Sequence, residues 1–186
     1  MKQSIAHHSK SLFIKGMLCD CCKGLLELLF EKEQIDYLKI ELGRIVFPAD
    51  ADLKKIEELI NKSGLRVIED KNLKLVEQIK VAVIELIHYA NNSNSIIRNS
   101  DYLVGKIGIS YPQLSRVFSE YESITLEKFI IHHKIQRIKI LLQEEEFSLS
   151  EIAYQMGYSS VQYLSNQFKK MTGMTVSEWK AIEGRQ

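Results

Sequence analysis

The residues best suited to chemistry are three cysteines in one short stretch, Cys19, Cys21 and Cys22. Neighbouring cysteines cannot connect distant segments, so they are not a disulfide framework. Two thiolates separated by two residues, Cys19 and Cys22, can bind a soft ion such as Cu(I), or a divalent ion such as Zn(II) with added oxygen from Asp20. The same pair can form a reversible disulfide. The stretch therefore predicts a thiol site, for either metal or redox chemistry.

A second candidate site is an internal repeat in the C-terminal half of the chain. Val104 stands four positions before Gly108 in the first copy, and Ala153 stands four positions before Gly157 in the second. This spacing is typical of a helix-turn-helix, because the glycine takes a left-handed conformation and the small residue lets the second helix approach closely. Two matching copies favour DNA binding over a chance similarity in a helical bundle.

The second helix of each copy should have a buried face and a free face. We expect Ser110 and Ser159 to cap these helices. The predicted buried residues are Leu114 and Phe118 in the first copy and Leu164 and Phe168 in the second. The free face carries side chains that can pair with base edges or touch a thymine methyl group, namely Gln113, Ser115, Arg116, Val161, Gln162, Ser165 and Asn166.

Phosphate contacts are expected from basic side chains near these helices. Lys169 and Lys170 follow the second copy's free face, and such contacts would set the register of the protein on the duplex. A long apolar-striped helix, about 125–143, is predicted between the two copies. It adds further candidates for phosphate contact: Lys128, Lys134, Arg137 and Lys139.

These features resemble the DNA-binding domain of AraC-type transcription regulators, over about residues 73–182. The most specific part is IAYQMGYSSVQYLSNQFKKMTGMTVSEW, from Ile152 to Trp179. The resemblance implies two helix-turn-helix units joined by a linker helix, whose second helices enter successive major grooves roughly 34 Å apart. By position it assigns base contacts to Pro112, Ser115, Arg116, Val161, Gln162, Ser165 and Asn166.

The N-terminal part of the chain mixes strand and helix periodicities. The pattern predicts strands at 11–15, 35–42, 45–47 and 65–69, and helices at 22–32 and from an Asp50 or Asp52 cap to Ser63–Gly64. A turn at Gly43–Arg44 separates the second and third strands. The order βαββαβ is that of a ferredoxin-like domain, with two helices on one face of a four-stranded sheet. A helix is then predicted from Leu73 to Ala90, ended by the polar run 91–95.

The cysteine loop has its own family resemblance. Gly16-Met17-Leu18-Cys19-Asp20-Cys21-Cys22 resembles the Gly-Met-x-Cys-x-x-Cys loop of heavy-metal-associated domains. The resemblance implies Cys19 and Cys22 as the metal ligands. Two alternatives stay open: the fold serves as a dimerisation or effector module with inert cysteines, or the thiol pair is a redox switch.

Composition narrows the classes of protein. The chain has 186 residues, 45% of them hydrophobic, and 25 basic side chains against 24 acidic ones. No apolar run approaches the roughly 18 residues that span a bilayer, and the start MKQSIAHHSK lacks the apolar core of a secretory signal. We therefore expect a cytoplasmic protein with no membrane contact. No constellation of catalytic residues is apparent, which argues against an enzyme.

Together these patterns predict a two-domain α+β protein. Residues 1–70 form the ferredoxin-like domain of the heavy-metal-associated kind, and residues 71–186 form the AraC-like all-α domain. The predicted function is sequence-specific transcription regulation through double-stranded operator DNA, with a metal ion or redox state as a candidate signal. No cofactor is expected to be required, and self-association as a homodimer is left open. The alternative is a soft-metal-binding, chaperone-like module whose helical domain makes protein contacts.

Overall fold

The computed structural model describes residues 9–89 and 99–183. It is mostly helical with one small antiparallel sheet. The chain divides into two compact units, with the boundary between Val81 and Ala82. This boundary lies inside a helix that begins at Lys71. The predicted helix end at Ala90 and the polar run 91–95 lie outside the described residues.

The first unit has the predicted order of strands and helices. Its elements are β1 (Ser9–Lys15), α1 (Asp20–Lys32), β2 (Lys39–Glu41), β3 (Arg44–Pro48), α2 (Leu53–Lys62), β4 (Arg66–Ile68) and the first part of α3 (Lys71–Ile84). The strands lie in the order β2-β3-β1-β4, and each neighbouring pair is antiparallel. Leu12 pairs with Ile45 of β3, and Phe13 pairs with Ile68 of β4. The central strand β1 therefore joins both halves of the sheet.

Local signals explain several boundaries in this unit. Asp52 is the cap of α2, since its carboxylate accepts hydrogen bonds from the backbone N–H groups of Lys54 and Lys55. Gly43 turns the chain between β2 and β3 with a φ of +68°, a conformation that glycine adopts without strain. The apolar face of α2, with Ile56 and Ile60, is buried in the core under the sheet.

Strand β2 is shorter than the predicted strand 35–42, because the residues at the start of that range form the turn that ends α1. Gln34 has a φ of +52°, and the Ile35 backbone N–H donates to the carbonyl of Phe30 at the end of α1. The extended pairing with β3 begins only at Lys39. The prediction of a strand from residue 35 was wrong, since the alternating pattern does not reveal where the helix stops.

The regular elements among the described residues of the second unit are all helices. After the end of α3, a π-helical turn (Glu85–Tyr89) follows, and then α4 (Asn99–Ile107), α5 (Tyr111–Tyr121), α6 (Leu126–Glu144), α7 (Leu149–Gln155), α8 (Val161–Thr172) and α9 (Val176–Glu183). Helix α6 packs against the π-helical turn and against α5, α7, α8 and α9. It is therefore the predicted linker helix, displaced by one residue from the predicted range.

The two ends of α6 pack into different parts of the unit. Near its start, Phe129 packs against Phe118 of α5 with ring centroids 5.2 Å apart. Further along, Ile138 and Leu141 lie in a buried cluster with residues of α7, α8 and α9. Phe168 and Trp179 contact edge to face within this cluster. One continuous helix thus holds both copies of the repeat.

A histidine pair connects the π-helical turn to α6. His88 Nε2 and His133 Nδ1 lie 3.3 Å apart, and the Phe129 ring packs edge to face against His133. Burial, with His88 and His132 nearby, lowers the pKa of His133 to about 4. Burial and the neighbouring Arg137 also lower the pKa of His88. Both rings are therefore neutral near pH 7, which suits a hydrogen bond between them.

No helix in the two described stretches is both long and apolar enough to cross a membrane.

We expect Leu141→Ala to destabilise the second unit by about 2–5 kcal/mol, because it leaves a cavity in a close-packed cluster. Leu141 is 1% exposed, whereas its neighbour Ile140 is 38% exposed. Trp179 is the single tryptophan of the chain and lies in the same cluster, so its fluorescence during urea unfolding measures the effect. Ile140→Ala is the matched control and should cost much less; equal losses would contradict the packing described.

Acidification should destabilise the protein through His133. The unfolded chain protonates this ring near pH 6.5, whereas the folded chain does so only near pH 4. The unfolded state therefore binds more protons between these values, so stability falls as the pH drops from 6.5 to 4 and this contribution is constant below 4. Thermal unfolding followed by circular dichroism across this range should show a weaker pH dependence for His133→Gln. The control His132→Gln, at an exposed neighbour, should keep most of the native pH dependence, because burial is the main cause of the lowered pKa of His133 and His132 contributes least.

Candidate nucleic-acid interface

Two turns place the candidate recognition helices α5 and α8. Gly108 follows α4 with a φ of +83°, and Gly157 follows α7 with a φ of +67°. These left-handed conformations are strained for any residue with a side chain. Ala153, which precedes Gly157 by four positions, is buried, and its carbonyl accepts a hydrogen bond from the Tyr158 N–H. The predicted role of both glycines in tight turns between helices is confirmed.

The caps of α5 and α8 are formed by serines. The Ser110 hydroxyl and backbone N–H both donate to Oε1 of Gln113, at 2.9 and 3.3 Å. At α8 the capping residue is Ser160, whose hydroxyl accepts from the Tyr163 N–H at 3.1 Å. The prediction of Ser159 was wrong, because the second turn is one residue longer and only the residue directly before a helix can cap its first N–H groups.

With Ser110 aligned on Ser160, α5 and α8 have the same burial pattern along their length. Leu114 and Leu164 are fully buried, and so are Phe118 and Phe168. This confirms the predicted buried face of each helix. The alignment also pairs exposed positions, four of which lie along one side of each helix: Pro112 with Gln162, Arg116 with Asn166, Ser119 with Lys169, and Glu120 with Lys170. We call these four positions the recognition face of each helix.

The predicted base-contact residues, together with Lys169 and Lys170, all lie on α5 or α8. Those that are exposed are Pro112, Gln113, Arg116, Gln162, Asn166, Lys169 and Lys170, whereas Ser115, Val161 and Ser165 are partly buried. Gln113 is engaged with Ser110 at the cap. Because Oε1 is held there, a bidentate base contact by its amide requires this side chain to leave the cap.

Polar side chains on each recognition face are paired one helical turn apart. On α5, Nε of Arg116 lies 3.8 Å from Oε1 of Glu120. On α8, the Gln162 amide donates to Oδ1 of Asn166 at 3.0 Å. Arginine is suited to guanine and paired amides are suited to adenine in the major groove. The two faces thus present different hydrogen-bonding groups at equivalent positions.

Tyr111 occupies the position equivalent to Val161, and sequence reasoning missed it as a member of the site. Its hydroxyl donates to Oε1 of Glu127 at 3.1 Å, which connects the start of α5 to α6. Burial, together with the Glu127 carboxylate, raises the pKa of Tyr111 to about 12. The alignment of Ser110 with Ser160 is the sequence signal that could have revealed this equivalence.

Three of the four basic residues predicted on the linker helix make contacts within the fold. Lys134 donates to the carbonyl of Met156, at 2.6 Å, and lies over the Tyr158 ring; burial lowers its pKa. Arg137 lies near Glu144, and Lys139 lies over the ring of Trp179. Lys134 therefore caps the end of α7, contrary to the expectation of a phosphate contact.

The cysteine loop lies between β1 and α1. Sγ of Cys19 and Sγ of Cys22 are 3.2 Å apart. The hydrogen bond from the Cys22 thiol, together with backbone N–H groups at the start of α1, lowers the pKa of Cys19. Burial and the neighbouring Cys19 raise the pKa of Cys22. Of Cys19 and Cys22, Cys19 therefore ionises first; Cys19 and Cys21 are both exposed.

The donor groups around this loop suit some ions better than others. Asp20 is engaged with Lys23, whose Nζ lies 3.2 Å from Oδ1. Within residues 9–89 and 99–183, no group of three histidine, cysteine or acidic side chains is arranged to hold a metal. Two sulfur ligands fit a soft ion of low coordination number such as Cu(I), whereas Zn(II) usually takes four ligands.

The loop is supported from α3. Oε2 of Glu77 accepts a hydrogen bond from the Gly16 N–H at 3.0 Å, and Oε1 of Glu77 accepts from Nζ of Lys80 at 2.8 Å. Glu77 is 2% exposed. A buried carboxylate needs such partners, because its desolvation otherwise costs several kcal/mol. The turn before the cysteines is thereby held by a buried side chain.

Comparisons with known proteins agree with the geometry of the second unit. Residues 103–182 match the family model described as "Helix-turn-helix domain". The chain is similar to the xylose operon regulatory protein of Escherichia coli (strain K12), with 30% identity over 63% of this chain and 30% of that protein. It is also similar to the Msm operon regulatory protein of Streptococcus mutans, with 25% identity over 68% of this chain and 44% of that protein.

Among solved structures, the chain is similar to a transcriptional regulator from Chromobacterium violaceum described as having an AraC-type DNA-binding domain. The TM-score is 0.46, with 23% identity over 56% of this chain and 91% of that chain. The chain spans less than half of the length of the two curated relatives named above. The family match spans α5 to α8 and the linker helix between them, and this part of the chain is similar to part of known operon regulatory proteins.

Proposed function

We propose that this protein is an AraC-type, sequence-specific transcription regulator that binds double-stranded operator DNA in the cytoplasm. The observation that carries the proposal is the matched pair α5 and α8. Each helix buries its leucine and phenylalanine and exposes polar side chains at equivalent positions. Such a helix, anchored on one face and polar on the other, is what a major groove admits. The similarity to operon regulatory proteins supports the same function.

The linker helix suits simultaneous contact with two grooves. Its 19 residues span about 28 Å at 1.5 Å per residue. This is close to the distance of roughly 34 Å between successive major grooves on one side of the duplex. In the proposed complex, base contacts come from the predicted residues of α5 and α8, and Lys169 and Lys170 contact phosphates. The chaperone-like alternative has less support, because the relatives named are regulatory proteins of operons.

We further propose that the first unit is a ferredoxin-like domain of the heavy-metal-associated kind that receives the regulatory signal. The strand order β2-β3-β1-β4 with two intervening helices supports this fold. The close thiols and the lowered pKa of Cys19 favour Cu(I) as the signal. When bound, the ion would be held by Cys19 and Cys22. Thiol oxidation and a purely structural module are the alternatives to Cu(I) as the role of this loop.

We predict that Asn166→Ala reduces the preference for operator DNA over a scrambled duplex. Loss of an adenine contact costs roughly 1–3 kcal/mol, which is about a fivefold to 150-fold change in affinity. Fluorescence anisotropy with a duplex from the promoter of the protein's own gene measures this at fixed salt. Asn61→Ala, which removes the same exposed amide from α2 of the first unit, is the control. Native affinity that is equal for operator and scrambled duplexes would refute sequence-specific binding.

The thiol site is tested by anaerobic Cu(I) titration against a chromogenic chelator. We expect the native chain and Cys21→Ser to retain Cu(I), and the double variant Cys19→Ser, Cys22→Ser to lose it, because the sulfur atoms of Cys19 and Cys22 lie 3.2 Å apart. A change in operator affinity on Cu(I) addition, absent from the double variant, would identify a metal sensor. Tight DNA binding that does not respond to Cu(I) or to the thiol variants would instead favour a structural first unit.

A further inference from the structure

The recognition faces of α5 and α8 differ sharply in charge although the two helices pack alike. Lys169 and Lys170 stand near the end of α8, and the equivalent positions of α5 hold Ser119 and Glu120. All four side chains are exposed. At one of these positions the charge is opposite in the two helices, because α5 has Glu120 where α8 has Lys170. The two copies therefore cannot interact equally with a polyanion.

The charges on α5 largely cancel. Arg116 and Glu120 lie on adjacent turns, 3.8 Å apart at their nearest atoms, and their side chains are 72% and 56% exposed. A phosphate near this face is attracted by one side chain and repelled by the other. Little counterion release is expected from such a face, because that effect depends on the number of phosphates that cations neutralise.

No negative charge on α8 offsets its two lysines, because this helix contains no acidic residue. Hydrogen bonds from Thr175 lower the pKa of Glu178 in α9, with a smaller contribution from the nearby Lys169. The Glu178 carboxylate already accepts hydrogen bonds from the backbone N–H and the hydroxyl of Thr175, at 2.7 and 2.8 Å. The end of α8 thus keeps two adjacent cations for the DNA backbone.

The capacity to discriminate between bases favours α5, whereas the capacity to bind phosphates favours α8. Arg116 is the single arginine in α5, and α8 has none. An arginine fork donates two charge-assisted hydrogen bonds to O6 and N7 of guanine, and charge-assisted hydrogen bonds are stronger than those of the neutral amides on α8. Glu120, one turn away and 3.8 Å from the guanidinium at the nearest atoms, opposes its attraction to phosphates. Glu120 thus favours a base contact by Arg116 over a backbone contact.

We propose that the two helix-turn-helix units divide the work of binding: α8 holds the phosphate backbone through Lys169 and Lys170, and α5 selects a guanine through Arg116, which Glu120 positions. This inference rests on the proposed DNA-binding function. It assigns most of the salt dependence to the second unit of the repeat and the strongest single-base preference to the first. The partner is accordingly a bipartite operator with a G·C pair in the groove that α5 enters.

The phosphate half of the proposal is tested by making α8 resemble α5. Lys169→Ser with Lys170→Glu should weaken binding to all duplexes alike and reduce the slope of log affinity against log salt by about 2, since each phosphate contact contributes about 0.9. The control is Lys54→Ser with Lys55→Glu, the same change at two exposed, adjacent lysines of α2. A slope reduced no more by the α8 variant than by the control overturns this half.

The base-selection half is tested on a set of duplexes that vary one base pair at a time. Arg116→Ala should reduce the preference for guanine at one position by roughly fivefold to 150-fold with a smaller change in salt slope than the lysine variant. Glu120→Gln should strengthen binding to nonspecific duplexes while reducing the same guanine preference. A guanine preference that survives in either variant overturns the assigned role of that residue.

The same experiments separate this inference from the function on which it rests. If the native chain binds no duplex above the level of nonspecific polyanions, the proposed function fails. If it binds an operator, but the variants of α5 and α8 change salt slope and base preference equally, the proposed function stands and the division of work is wrong.

Discussion

Burial of apolar side chains along α6 is the interaction on which the arrangement of the candidate interface depends. The first turns of this helix pack on α5, and its later turns lie in the cluster with α7, α8 and α9. Because a helix transmits the orientation of one end to the other, the two recognition helices are held by a single rigid element. Protein interiors are close-packed and deform little, so this burial sets which faces of α5 and α8 remain exposed.

The two copies of the repeat share their packing and differ in their surface chemistry. Leucine and phenylalanine fill the same buried positions in α5 and α8, while the exposed positions carry arginine and glutamate in one helix and amides and lysines in the other. A buried position is constrained by volume and by desolvation, whereas an exposed position is constrained mainly by what it contacts. The same framework can therefore present two different surfaces to neighbouring grooves.

Polar groups at the edges of the packed regions are satisfied by specific partners. Lys134 covers the carbonyl at the end of α7, and Glu77 accepts from the turn before the cysteines. In each pair, a charged side chain is largely buried away from water and makes a hydrogen bond with a backbone group instead. Such contacts are individually costly to break, because removal of one partner leaves a buried polar group without a hydrogen bond. They stabilise the local turns that position α8 and the thiol pair.

The sequence alone determined the features that are encoded within a few residues. The apolar period of α5 and α8, the glycines of both turns and the order of strands and helices in the first unit were all predictable, because they follow from side-chain spacing and local backbone preference. The candidate DNA-contact residues could be named for the same reason, although their contacts with DNA remain predictions. Even local signals were ambiguous by one residue in the turn where Ser160, and not Ser159, is the cap.

Only the tertiary structure decided which distant groups meet. The pairing of His88 with His133, the burial of Lys134 against Met156 and the bond from Gly16 to Glu77 join residues far apart in sequence. No periodicity encodes such contacts, since they depend on how whole helices and strands pack against one another. The shortening of β2 has the same origin, because the end of α1 and the pairing with β3 jointly set where the strand begins. Local pattern thus specified the elements, and packing specified their partners.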